Sequence, residues 1–77
     1  MKSLNEIPAN KRVIVSELLG GREFASRMAA LGFTKGAEVK VLQNYGRGPL
    51  ITIIRGTRVA IGRGEALKVM VKEIEEV

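Results

Sequence analysis

Leu50-Ile51-Thr52-Ile53-Ile54-Arg55-Gly56-Thr57-Arg58-Val59-Ala60-Ile61 decides the fold class. Two short runs rich in β-branched residues flank a glycine, and that pattern reads as a β-hairpin. Gly56-Thr57, with glycine first, is taken as the two-residue connection of a type II′ turn. Val59 and Ile61 alternate toward the interior of the second strand.

Working upstream, residues 37–43 alternate in the same way. Val39 and Val41 point in, Glu38 and Lys40 point out, and Leu42 breaks the rhythm by sharing the outward side. Tyr45-Gly46-Arg47-Gly48-Pro49 is the loop between this strand and the hairpin. Lys35-Gly36 is a turn with glycine where φ is positive. Between residues 22 and 31 the period changes: Phe24, Met28 and Leu31 recur at helical spacing with Ala25 and Ala29 beside them. Arg22, Ser26 and Arg27 face away, which predicts a short amphipathic helix. Gly32 follows as a left-handed cap, and Phe33 folds back on the last turn. Residues 12–18 read as a strand, ended by Gly20-Gly21. Leu4 and Ile7 belong to a single turn over the core, stopped by Pro8.

Downstream, Gly62-Arg63-Gly64-Glu65-Ala66 is a tight turn or one helical turn. Lys68–Lys72 is a last strand with Val69 and Val71 inward and Met70 outward. Glu73-Ile74-Glu75-Glu76-Val77 reads as a solvated, fraying terminus. The pattern is mainly β: about five short strands and one short helix after the first. Such a set closes most economically as a small, partly open barrel with the helix as a plug. Residues 1–77 form a single domain, without repeat, linker or low-complexity segment.

Composition limits the chemistry. The chain has 77 residues, 45% of them hydrophobic and 27% charged, with no cysteine and no histidine. A chain of this size buries only about 60–65% of the surface its unfolded form exposes. With no disulfide and no zinc-binding His or Cys, apolar packing supplies nearly all its stability. All eight acidic residues are glutamate. A thiol nucleophile, an imidazole base and a soft or borderline metal site are thereby excluded. Ser3, Ser16 and Ser26 lack a histidine to activate them. Gly62-Arg63-Gly64 lacks the third glycine of a dinucleotide fingerprint, and no P-loop is present. No catalytic residue, metal ligand or cofactor site is expected, and the protein is not expected to be an enzyme. The N-terminus lacks an apolar targeting region, and no apolar stretch approaches the roughly 18 residues of a membrane span. A cytoplasmic location without direct membrane insertion is the expectation.

The net charge of +5 is unevenly spread. Arg47, Arg55, Arg58 and Arg63 fall in one stretch with no acid among them. Such a patch can meet phosphate, an anionic surface or an acidic protein face, or can simply be a solvated rim. Tyr45 beside Arg47 offers one stacking platform for RNA. RNA readers usually present several aromatics, so nucleic acid is the lesser reading.

In order and spacing, the chain resembles the ferrous-iron transport protein A (FeoA) family from Leu4 to about Val71. The resemblance runs through Leu4…Ile7-Pro8, Leu18-Leu19-Gly20-Gly21, Arg27-Met28-Ala29-Ala30-Leu31-Gly32-Phe33 and Lys35-Gly36. It continues through Glu38-Val39, Gly48-Pro49-Leu50, Arg55-Gly56-Thr57-Arg58-Val59-Ala60-Ile61 and Glu65-Ala66. It implies an SH3-like barrel and a non-enzymatic accessory role in ferrous-iron uptake. The implied partner is FeoB, a membrane iron permease that carries a GTP-binding domain. Weak self-association is a further expectation. The alternatives are an RNA-binding barrel and a stand-alone relative of the SH3-like domain of metal-dependent repressors. The docking surface is expected at the Tyr45–Pro49 loop with Arg47, Arg58 and Arg63 and the outward apolar residues Leu42 and Met70, because arginine and aromatic anchors dominate interface energetics.

Overall fold

A computed structural model describes residues 1–74. In chain order the elements are β1 (Lys2–Ser3), a 3₁₀ turn (Leu4–Glu6), β2 (Arg12–Leu18), α1 (Gly21–Ala30) and β3 (Glu38–Gln43). They continue with β4 (Leu50–Ile54), β5 (Thr57–Ile61), α2 (Arg63–Ala66) and β6 (Val69–Glu73). All strand pairs are antiparallel, in the order β1-β6-β2-β3-β4-β5. Among the described residues the sheet therefore has six strands where the sequence suggested about five. The extra one, β1, is two residues long, too short for alternation to reveal. Glu73 is also a correction: it pairs with Val13 instead of fraying, and the Ile74 N–H donates to Arg12 O at 3.2 Å. The rest of the acidic end lies outside the described residues.

The inward residues of every long strand meet in one core. Val13 and Val15 from β2, Val39 and Val41 from β3, Leu50 and Ile54 from β4, Ile61 from β5, and Val69 and Val71 from β6 are all buried. α1 lays Phe24 and Met28 on this core. Its C-terminus closes as anticipated: the Gly32 N–H donates to Ala29 O at 2.9 Å and the Phe33 N–H to Met28 O at 2.8 Å. Gly32 sits at φ +103°, where a side chain would be strained, and Phe33 is fully buried beneath the turn. Leu31 departs from expectation. It is the residue after the last helical one, the chain is already turning, and it remains 42% exposed.

Two local features set the outer surface. The β3–β4 register shifts between Val41 and Gln43, so Leu42 is the extra residue of a β-bulge, half-buried. That shift explains the break in alternation seen in the sequence. The hairpin turn also differs from its predicted type. Ile54 pairs with Thr57, and the two residues between them, Arg55 at φ +51° and Gly56 at φ +76°, form a type I′ turn. Arginine is a poor occupant of a left-handed position, and asparagine is a good one. Arg55→Asn is accordingly expected to raise stability by about 0.5–1 kcal/mol in a urea titration.

Candidate docking surface

The face that carries the candidate residues follows from the register of β3, β4 and β5. Residues directly paired across strands point to the same side of a sheet. Val41, Thr52 and Val59 form one cross-strand row, and the fully buried Thr52 marks it as inward. The Thr52 hydroxyl is satisfied there, donating to Val59 O at 2.9 Å. The neighbouring rows must then face out: Gln43, Ile51 and Ala60 in one, Lys40, Ile53 and Arg58 in the other. Two isoleucines on β4 thus lie on the outer surface, half-buried and framed by basic side chains.

The loop before β4 extends this surface. Tyr45 is 75% exposed. With Arg47, Gly48 and Pro49 it lines an open groove of about 530 Å³ whose other walls are Gln43 and Ile51. A second groove of about 430 Å³ lies beside Ile53, lined by Arg12, Lys40, Arg55 and Glu38 among others. Arg12 there is paired with Glu38 at 3.5 Å. Among the described residues, the side chains of Tyr45, Arg47 and Arg58 have no hydrogen-bond or ion-pair partner.

The structure brings together only part of the set read from the sequence. Tyr45, Arg47 and Arg58 share the β3–β5 face, with Leu42 at its bulge. Arg63 is engaged elsewhere. Its Nε donates to Gly48 O at 3.2 Å, its Nη1 to Asn5 O at 3.3 Å and its Nη2 to Asn44 Oδ1 at 2.5 Å. Asn44 in turn donates to Ile7 O at 2.8 Å and Asn5 O at 3.0 Å. Arg63 is therefore a latch that ties the Tyr45 loop to the 3₁₀ turn. Met70 lies on β6, with β2 between its strand and β3. It is paired with Ser3 and Glu17, away from the other candidates.

Ile51 and Ile53 are the residues that the sequence reading left out. A signal existed: β4 is apolar at nearly every position, the mark of a strand covered on both faces. Arg63→Met keeps the aliphatic stem but removes all three hydrogen bonds. It is expected to cost about 1–3 kcal/mol and to speed amide exchange in the 44–48 loop relative to the rest of the chain.

Among the described residues there is no group of three or more side chains suited to hold a metal ion. No helix among them is long and apolar enough to cross a membrane.

A small, antiparallel, partly open barrel with a capping helix and an exposed basic and apolar face is of the SH3-like class. One solved neighbour is described in those terms: Stenotrophomonas maltophilia FeoA complexed with zinc, a prokaryotic SH3 domain protein. It is 30% identical, with 94% of this chain and 91% of that one aligned at a TM-score of 0.80. The chain belongs to the FeoA domain family, whose model matches residues 2–73. A crystal structure of an iron uptake regulatory protein, FeoA, aligns over 95% of this chain and 96% of its own, at 36% identity and a TM-score of 0.88. The "Putative Fe(2+) transport protein A" of Methanocaldococcus jannaschii is 37% identical over 65 residues, 84% of this chain and 78% of that protein.

Proposed function

We propose that this protein is a non-enzymatic, cytoplasmic accessory subunit of ferrous-iron uptake. It docks through the outer face of β3–β5 and the Tyr45 loop onto a FeoB-type membrane permease bearing a GTP-binding domain. The observation that carries this reading is the group of exposed, unpartnered Tyr45, Arg47 and Arg58 around Ile51 and Ile53. Apolar surface rimmed by polar groups, with aromatic and arginine anchors, is the usual anatomy of a protein interface. Membership of the FeoA domain family supports the iron-uptake setting. Ferrous iron is the cargo of the permease in this reading. A chain whose only acidic side chains are eight glutamates, without His or Cys, is poorly equipped to hold it.

The test is a binding titration of the full chain against the purified cytoplasmic portion of the permease, at 50 and 200 mM salt. A parallel titration uses a single-stranded oligoribonucleotide. Saturable permease binding that weakens by less than about tenfold across that range is expected. Phosphate-dominated binding loses about 10³ or more over the same range when six or more contacts are made. Failure to bind the permease together with steeply salt-dependent RNA binding would make the arginine stretch a nucleic-acid surface.

A further inference from the structure

We propose that the free edge of β5 captures an extended, acidic segment of a protein partner as an added strand. This rests on the reading that the β3–β5 face docks a partner, and it specifies how.

The two ends of the sheet are protected very differently. β1, at one end, is two residues long and runs straight into the 3₁₀ turn. β5, at the other end, runs five residues and among the described residues pairs only with β4. Its register with β4 is unbroken from Ile54–Thr57 to Leu50–Ile61. It contains no proline and no bulge, and a single charge, Arg58. Soluble proteins ordinarily blunt such an edge, because its unpaired backbone groups template strand addition.

The hairpin fixes which groups are on offer. A two-residue turn closes on a hydrogen-bonded pair, here Ile54 with Thr57, and bonded and non-bonded pairs then alternate along the ladder. Thr57, Val59 and Ile61 turn their backbone groups toward β4. Arg58 and Ala60 therefore direct their N–H and C=O away from the sheet, and both residues are exposed. An added strand would gain four main-chain hydrogen bonds at these two residues, the geometry of β-augmentation.

The side chains specify the occupant. On the outer face, the added strand's residue beside Arg58 would sit on a face that also carries Lys40 and Arg55, where the acid lining the neighbouring groove, Glu38, is already paired with Arg12. A carboxylate is favoured there, and a base is opposed. On the other face its neighbour would be the half-buried Val59, which favours an apolar residue. The complementary sequence alternates acid with a β-branched residue. A second copy of this chain fits poorly, because pairing β5 with β5 would juxtapose two such all-basic edges.

The probe is a capped nine-residue peptide alternating glutamate and valine, with a control carrying lysine for each glutamate. Amide exchange of the full, ¹⁵N-labelled chain is followed by NMR. The glutamate peptide is expected to slow exchange at Arg58 and Ala60 at least tenfold, leaving Thr57 and Val59 nearly unchanged, and the lysine peptide to do nothing. Ala60→Pro removes an N–H on the free side only, so it should abolish binding while the β4–β5 ladder persists. Arg58→Glu, which leaves the backbone intact, should weaken binding at least tenfold. No added protection, equal protection by both peptides, or peptide-free protection that grows with protein concentration would each overturn the proposal. Equal permease affinity of the parent and Ala60→Pro would overturn strand capture while leaving the docking reading intact. Peptide protection at Arg58 and Ala60 in a chain that ignores the permease would support strand capture and remove the permease as partner.

Discussion

Gly20→Ala is expected to lower stability by about 2–4 kcal/mol, enough to consume most of the reserve of a domain this small. The reason is space, not conformation. Gly20 has φ −101°, which any residue tolerates. A methyl group placed there, however, would lie inside the side chain of Phe24, 2.6 Å from its Cβ and closer still to its ring. Unstrained carbon contacts need about 3.5–4.0 Å. Phe24 cannot simply swing away. It is only 4% exposed, and Arg27 and Lys68 hold their cations 5.8 and 5.5 Å from its ring centroid. Either the ring leaves the core or the β2–α1 junction shifts. Gly21 is the control, since its φ of +83° disfavours a side chain but open space surrounds it. Gly21→Ala should cost only about 1–2 kcal/mol. Denaturant titrations should rank the parent above Gly21→Ala and Gly21→Ala above Gly20→Ala. Equal losses at the two glycines would sink the steric account.

That contrast shows what can be read from a sequence and what cannot. Gly20-Gly21 was legible as a break between strand and helix, but a glycine's letter does not say whether it supplies room or a left-handed φ. The Gly32–Phe33 cap was fully legible, because its chemistry is local: a glycine and an apolar residue placed after a helical apolar stripe. The hairpin was legible from alternation, but its turn was displaced by one residue. Pairing Ile54 with Thr57 puts Leu50, Thr52 and Ile54 inside, and that burial pattern is obtained with Arg55 in a left-handed conformation. A one-residue slip would have reversed every side chain of β4. Ile51 and Ile53 escaped for the same reason: a threonine buried between outward isoleucines inverts the usual reading, and only its hydrogen bond to Val59 O makes that tolerable. Arg63 illustrates a different limit. A charge run reveals which residues are basic, whereas the carbonyls that engage one of them come from Asn5 and Gly48, far away in sequence.

Arg47→Glu combined with Arg58→Glu is expected to weaken binding to the permease's cytoplasmic portion about 100-fold, or about 2.7 kcal/mol. Both guanidinium groups are exposed and unpartnered among the described residues, so reversing them removes no internal hydrogen bond or ion pair and the unfolding midpoint should move little. Each reversal replaces an attraction with a repulsion at a face framed by Lys40 and Arg55. Met70→Glu is the discriminating companion. Met70 is half-buried on β6 between β1 and β2, and a charge there should change affinity by less than about threefold, a 0.7 kcal/mol effect. Loss of binding by Met70→Glu with the double reversal unaffected would move the docking face to the β1–β6–β2 side. Loss in both would mean that the partner wraps past β2. Affinity lost only in the double reversal, and restored in part by a lysine-rich variant of the permease surface, would tie docking to the charge of the β3–β5 face itself.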